Sequence, residues 1–332
     1  MTRLLKLLNQ IPQNPKYGQI YKTLLKVHSI MSQHSKIAVS VSGGSDSDTV
    51  LDLIELVRPF IERDCEIHYC YFDLEFEFDA TKRHIGHLEN KYAIKIETKK
   101  PRKSIPQSCR EHGVPFLSKQ VSEYIFRLQS HNFKFELNAS FEELYARYPR
   151  AKSALRWWCN EWGDNSSFNI SKHFMLKEFL SENPPTFKIS EKCCDYAKKY
   201  PGDDFAREID ADLTIRGMRI AEGGRRATVP RTCYKPACKD NKPDYCPLWY
   251  WTDADKHTYK VWRGLRYSDC YEVYGLSRTG CFGCPFNSLC LQEIEIVKEY
   301  EPKLAIAARN VFRTSYDYVW QFTEFKKAKK GG

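Results

Sequence analysis

Apolar and polar positions follow two rhythms along the chain. Residues 37–41, Ile-Ala-Val-Ser-Val, form a largely β-branched apolar run, the mark of a buried strand. A polar turn follows at once, Ser42-Gly43-Gly44-Ser45-Asp46-Ser47. Residues 49–57 then carry Val50, Leu51, Ile54, Leu56 and Val57 in a helical pattern. The succession repeats. Residues 66–73 read as a second strand ending in Asp73, residues 79–92 as a helix with Asp79 as its N-cap, and residues 94–98 as a third strand. Strands separated by helices predict an α/β fold, a parallel twisted sheet with flanking helices. Ligands of such sheets sit at the carboxyl ends of the strands, and Ser42 and Asp73 both fall there.

Residues 17–34 place Ile20, Leu24, Leu25, Val27 and Ile30 at helical spacing, which predicts a helix covering the sheet. Helices are also predicted over 151–163, 170–182 and 316–330, with Asn183-Pro-Pro as a break. Residues 212–219 read as a strand running into a loop. Thr252, with Asp255 three positions on, reads as the cap of another helix. The expected organisation is an N-terminal helical segment at 1–35, a nucleotide-binding α/β domain at 36–230, and a helical, cysteine-containing C-terminal region at 231–332 packed on it. No apolar run approaches the roughly 20 residues that span a bilayer. The opening residues turn polar too soon for a secretory signal. A cytoplasmic protein without a membrane partner is the expectation.

Charge and cysteine content sharpen this picture. The chain carries 52 Lys+Arg against 42 Asp+Glu, a net charge of +10, which suits phosphate-bearing ligands, nucleic acid among them. A solvated basic surface is the plain alternative. Trp157-Trp158 and Trp249-Tyr250-Trp251 lie in apolar settings and read as core. Thirteen cysteines are many for a cytoplasmic chain, where disulfides are disfavoured, so metal, cluster or catalytic roles gain weight.

A strand, a glycine turn and a helix together aim free backbone N–H groups at an anion. Gly43 and Gly44 permit the tight turn, and Ser42, Ser45 and Ser47 add hydroxyl donors. The Gly-Lys-Ser/Thr of a Walker loop is absent. A serine- and glycine-rich turn without function is the bland reading. Ser-Gly-Gly-x-Asp-Ser after a strand resembles the PP-loop of the ATP pyrophosphatase superfamily. Three further segments resemble its PAPS reductase-like branch. In residues 72–82, Asp73, Glu77 and Thr81 match, while Leu74 and Glu75 replace the usual Thr-Gly. In residues 212–226, Gly217, Arg219 and Glu222 match, with Arg225 or Arg226 in the last place and Gly223 replacing a serine. Residues 247–255 match a Pro-Leu-x-x-Trp-Thr-x-x-Asp segment, read here as architecture rather than chemistry.

Cys193-Cys194 and Cys281-Phe-Gly-Cys284 supply two pairs of thiols, the four that a cubane iron–sulfur cluster requires. Their spacing resembles the cluster pattern of assimilatory APS reductases. Cys233, Cys238, Cys246 and Cys290 could complete such a site or bind zinc. Cys65 and Cys70 read as core residues, and Cys109, Cys159 and Cys270 carry no signal.

The resemblance implies an ATP pyrophosphatase that adenylates its acceptor, carries a [4Fe-4S] cluster and acts in sulfur transfer, as in the related enzymes of DNA phosphorothioation. In that reading Ser42, Gly43, Gly44, Ser45, Asp46 and Ser47 bind the β and γ phosphates, and Asp46 helps to hold magnesium. Asp73 and Glu77 lie on the adenosine side. Arg219, with Glu222 and Arg225 or Arg226, acts at the α phosphate. Implied partners are an adenine nucleotide, a sulfur-donor protein (a cysteine desulfurase or a thioredoxin-like protein), a nucleic-acid acceptor and a second copy of the chain. Two alternatives stay open: an APS or PAPS reductase, and a non-catalytic nucleotide-binding regulator. The intact loop, and the lack of a C-terminal Glu-Cys-Gly-x-His tail with its nucleophilic cysteine, favour the ATP-dependent reading.

Overall fold

The computed structural model describes residues 2–223, 232–238 and 242–330. They divide into two compact units, each assembled from two stretches of chain: 1–102 with 198–280, and 103–197 with 281–332.

The first unit holds one six-stranded sheet. Its strands are β1 (Lys36–Ser40), β2 (Glu66–Phe72), β3 (Ile96–Lys99), β4 (Leu213–Ile215), β5 (Tyr234–Lys235) and β6 (Asp244–Tyr245), in the order β3-β2-β1-β4-β6-β5. All neighbours are parallel except the β5–β6 pair. β1 sits centrally, with Ile37 paired to Ile67 of β2 and to Leu213 of β4. Its Ile37, Ala38 and Val39 are buried, as an apolar run flanked on both edges requires. The helix Ser45–Val57 buries Leu51, Leu53, Ile54 and Val57 in the same core. The helix Gly18–Met31 adds Ile20, Leu24 and Val27. Trp249 and Trp251 are also buried there, whereas Tyr250 is exposed. Tyr234–Lys235 and Asp244–Tyr245, assigned from sequence to the C-terminal region, form β5 and β6 of this sheet.

Two details differ from expectation. The helix after β1 begins at Ser45 rather than 49, so the loop's Ser45, Asp46 and Ser47 form its first turn. Acidic Asp46 and Asp48 near a helix N-terminus favour that early start. The helix Asp79–Tyr92 is capped at Phe78, with Asp79 as its first helical residue.

The second unit is helical. Trp157 and Trp158 are fully buried, together with Phe116, Phe179, Tyr318 and Phe322. The aromatic pair Phe116–Tyr318 has ring centroids 4.8 Å apart. Tyr318 and Phe322 belong to the helix Pro302–Lys330, longer than predicted. Ser315 Oγ donates to the Pro115 carbonyl at 2.6 Å, and Tyr318 Oη to the Asn183 carbonyl at 2.6 Å. These bonds satisfy hydroxyls that would otherwise be buried at a cost. The predicted 170–182 helix is split into a single turn, Ile170–Lys172, and the helix Leu176–Glu182, with Met175 between them at φ +61°.

Candidate nucleotide and thiol sites

In the glycine turn Ser42 is exposed, Gly44 and Asp46 are half-buried, and Gly43, Ser45 and Ser47 are buried, and the turn is organised by its own hydroxyls. Ser42 N donates to Ser47 Oγ at 2.9 Å, and Gly44 N to Ser42 Oγ at 3.4 Å. Gly43 has φ +65°, a region that favours glycine, and a Cβ there would meet Thr81 at 2.9 Å. Ser45 N donates to Tyr271 Oη at 3.2 Å. The amides of Gly43, Asp46 and Ser47 donate to no protein acceptor among the described residues. Free amides in a helix's first turn form an anion cradle.

Two cations converge on this cradle. Arg219 Nε donates to Asp46 Oδ2 at 2.8 Å, and Lys256 Nζ to Asp46 Oδ1 at 2.8 Å. Lys256 Nζ also donates to Ser45 Oγ at 3.0 Å. Arg219 is only 5% exposed and donates through Nη1 to Asp253 Oδ1 at 2.9 Å. Glu222 accepts from Arg219 N at 3.0 Å and holds the backbone from which the guanidinium projects. The loop after β4 comes so near the helix that a Cβ on Gly217 would lie 2.9 Å from the Asp46 carbonyl carbon and the Ser47 nitrogen. Arg225 and Arg226 lie outside the described residues. Because each oxygen of Asp46 is engaged by a cation, that carboxylate does not fit a divalent ion while both partners remain.

Asp73 stands at the end of β2 and accepts from Glu75 N at 2.9 Å. Glu75 has φ +55°, at a position where the family pattern carries glycine. Glu77 is buried and accepts from Tyr71 Oη at 2.6 Å. Burial raises its carboxyl above the usual range, partly opposed by Lys198 and the Tyr71 hydrogen bond.

In the second unit, Cys193 is buried and its thiol shares hydrogen bonds with Cys109 and Cys194, with Cys284 in electrostatic range. The bond to Cys109 is the largest cause pushing the Cys193 thiol well up, and burial adds to it, while Cys194 opposes both. Cys281 and Cys284 are half-buried, and Cys284 N donates to the Cys281 carbonyl at 3.4 Å. Tyr316 Oη donates to the Gly283 carbonyl and steadies this turn. The soft donor set fits an iron–sulfur centre. Among the described residues, no group of three or more His, Cys, Asp or Glu is arranged around a single metal ion. A cubane does not ask for that, since it spreads its thiolates over separate irons.

Sequence reasoning missed Lys256, Asp253, Tyr271 and Cys109. Asp253 and Lys256 are an i,i+3 pair on the helix Asp253–Arg263, so they share a face. The segment read as pure architecture does form the Thr252–Asp255 capping box, but it also delivers these two charges to the loop.

Residues 164–287 match the family model of the phosphoadenosine phosphosulfate reductase domain. Over that stretch the chain is similar to the PAPS reductase domain family. The matched stretch includes Cys193, Cys194, Arg219, Glu222, Lys256, Cys281 and Cys284, and the glycine turn precedes it. No curated protein matches it significantly. Among solved structures it is similar to the phosphoadenylyl-sulfate reductase of Candida auris in its phosphate complex, with 12% identity, TM-score 0.41, and coverage of 78% of this chain and 86% of that one. A second is the FMN adenylyltransferase of Candida glabrata with FMN and an ATP analogue, with 12% identity, TM-score 0.38, and coverage of 83% and 68%. A third is the U34-tRNA thiolase of Methanococcus maripaludis with its [4Fe-4S] cluster, with 12% identity, TM-score 0.39, and coverage of 92% and 79%. No helix of the described residues is long and apolar enough to cross a membrane.

Proposed function

We propose that this PAPS reductase-like chain binds ATP in the glycine turn, cleaves it between the α and β phosphates, and adenylates an acceptor in a sulfur-transfer reaction. The observation that supports it most is the intact Ser42-Gly-Gly-x-Asp-Ser47 turn with three free amides, flanked by Arg219 and Lys256. An adenylation needs an exit for pyrophosphate, and an amide cradle beside two cations suits that polyanionic group. The acceptor's oxygen forms a bond to the α phosphorus as the Pα–O–Pβ bond breaks, and pyrophosphate leaves with the bonding electrons.

In this reading the amides of Gly43, Asp46 and Ser47 and the hydroxyls of Ser42, Ser45 and Ser47 hold the β and γ phosphates. Arg219 Nη2, which has no protein acceptor among the described residues, stabilises charge on the α phosphate oxygens. Arg225 or Arg226 supports it. Asp73, at the next strand end, serves the adenosine side, and buried Glu77 braces the loop behind it. Magnesium enters as the counter-ion of the nucleotide. Cys193, Cys194, Cys281 and Cys284 would hold a [4Fe-4S] centre, which when bound supplies electron or sulfur handling. The acceptor is nucleic acid, a reading supported by the net charge of +10. The sulfur comes from a cysteine desulfurase or a thioredoxin-like protein, and the chain works in the cytoplasm.

The test is ATP–pyrophosphate exchange with the anaerobically purified chain, alongside iron and sulfide analysis. Label appearing in ATP supports the reading, and its absence with every candidate acceptor class would count against it. The matched family description favours a second reading, reduction of APS or PAPS. Sulfite release with thioredoxin and no pyrophosphate exchange would decide for that one.

A further inference from the structure

We propose that Lys256 is a phosphate ligand of the glycine turn, and that Asp46 holds its ammonium in place until a pyrophosphate group takes it over. This inference rests on the reading of the turn as a nucleotide site. Lys256 Nζ lies 2.8 Å from Asp46 Oδ1 and 3.0 Å from Ser45 Oγ, both in the first turn of the helix that presents the free amides. Its side chain is 18% exposed and that of Asp46 15%, so the pair is largely shielded but not sealed from solvent.

The helix that carries Lys256 is fixed at its start. Thr252 Oγ1 accepts from Asp255 N at 3.2 Å, and Asp255 Oδ2 accepts from Thr252 N at 2.8 Å. Lys256 follows directly, one turn inside this capping box, so its stem is anchored while its head can change partner. A three-donor ammonium already bonded to one carboxylate and one hydroxyl has a donor left for an entering oxygen. Phosphate oxygens bring more negative charge than Asp46 alone. The carboxylate then stays bound to Arg219 Nε at 2.8 Å, so the exchange strands no charge. Asp46 thus acts as a placeholder for a cation rather than as the ligand of a divalent ion, which agrees with both of its oxygens being engaged.

The experiment is calorimetric titration of the full anaerobic chain with inorganic pyrophosphate, ATP and AMP, each with magnesium and with chelator in its place. The variants are Lys256→Met, Lys256→Arg and Asp46→Asn, with circular dichroism confirming that each is folded. Loss of a charge-assisted bond is expected to weaken pyrophosphate and ATP binding about tenfold in Lys256→Met. AMP, which lacks the β and γ phosphates, should change by less than about twofold, and Lys256→Arg should keep most of the affinity. Asp46→Asn removes the negative charge that competes for both cations and should bind pyrophosphate several-fold more tightly. Lys256→Met binding pyrophosphate and ATP like the parent, or Asp46→Asn losing them, would overturn the inference while leaving the turn a nucleotide site. A parent chain that binds neither ligand would overturn the turn's reading and this inference together.

Discussion

Arg219 of the loop after β4 donates through Nε to Asp46 of the glycine turn at 2.8 Å, a contact between positions 173 residues apart in the sequence. The guanidinium also reaches Asp253, so it joins three segments of the first unit. Lysine cannot reproduce a fork that serves two carboxylates at once. Arg219→Ala and Arg219→Lys are therefore both expected to lower ATP–pyrophosphate exchange by about 10²-fold. Arg219→Ala should also cost about 1–2 kcal/mol of stability in urea unfolding. Full activity in Arg219→Lys would show that a point charge suffices there.

Gly217 secures the same approach by having no side chain. A Cβ there would lie 2.9 Å from two backbone atoms of the Asp46–Ser47 peptide, which cannot swing aside as a flexible side-chain tip would. Gly217→Ala should push the β4 loop off the turn, destabilising the fold by about 1–3 kcal/mol. ATP affinity should fall with it. Titration and urea unfolding on the same samples check both, and an alanine variant with unchanged affinity would mean that the turn tolerates the displacement.

Periodicity made the sheet legible because β1 to β3 are apolar runs between helices, and strand ends then located the turn, Asp73 and Arg219. The start of the helix at Ser45 was not legible, since a polar first turn carries no hydrophobic signal and is set by capping and dipole effects. Lys256 was hidden for a different reason. Its contact with Asp46 spans 210 positions, and nothing local marks a lysine after a capping box as a partner of the glycine turn. Cys109 was invisible among thirteen cysteines until the chain placed it beside Cys193.

Burial holds the Glu77 carboxyl above its usual range. Because the folded value exceeds the unfolded one, its favourable contribution is complete below the ordinary value of 4.5 and is lost as pH rises through the raised value. The loss amounts to about 1.4 kcal/mol for each unit by which the value is raised. Glu77→Gln keeps an acceptor for Tyr71 Oη without a titrating charge. Its stability relative to the parent should therefore increase between pH 4.5 and pH 7, as read from urea midpoints. Parallel pH profiles would show that Lys198 and Tyr71 already compensate the charge.

The thiols give a prediction that separates ligands from neighbours. Serine at Cys193, Cys194, Cys281 or Cys284 should cost the anaerobically purified chain most of its iron and acid-labile sulfide, because a cubane needs four thiolates. Cys70 lies in β2 of the other unit, and burial pushes its thiol up to about 12, so Cys70→Ser should retain full iron. Cys109 is the informative case. It hydrogen-bonds Cys193 but lies outside the two expected pairs, so it is placed to tune a bound centre by donating to a ligand sulfur. Cys109→Ala should therefore keep its iron while lowering the reduction potential read by redox titration, since hydrogen bonds to sulfur raise it. Iron loss in Cys109→Ala, with iron retained in Cys281→Ser, would move the fourth ligand from the C-x-x-C turn to the helix Ile105–His112.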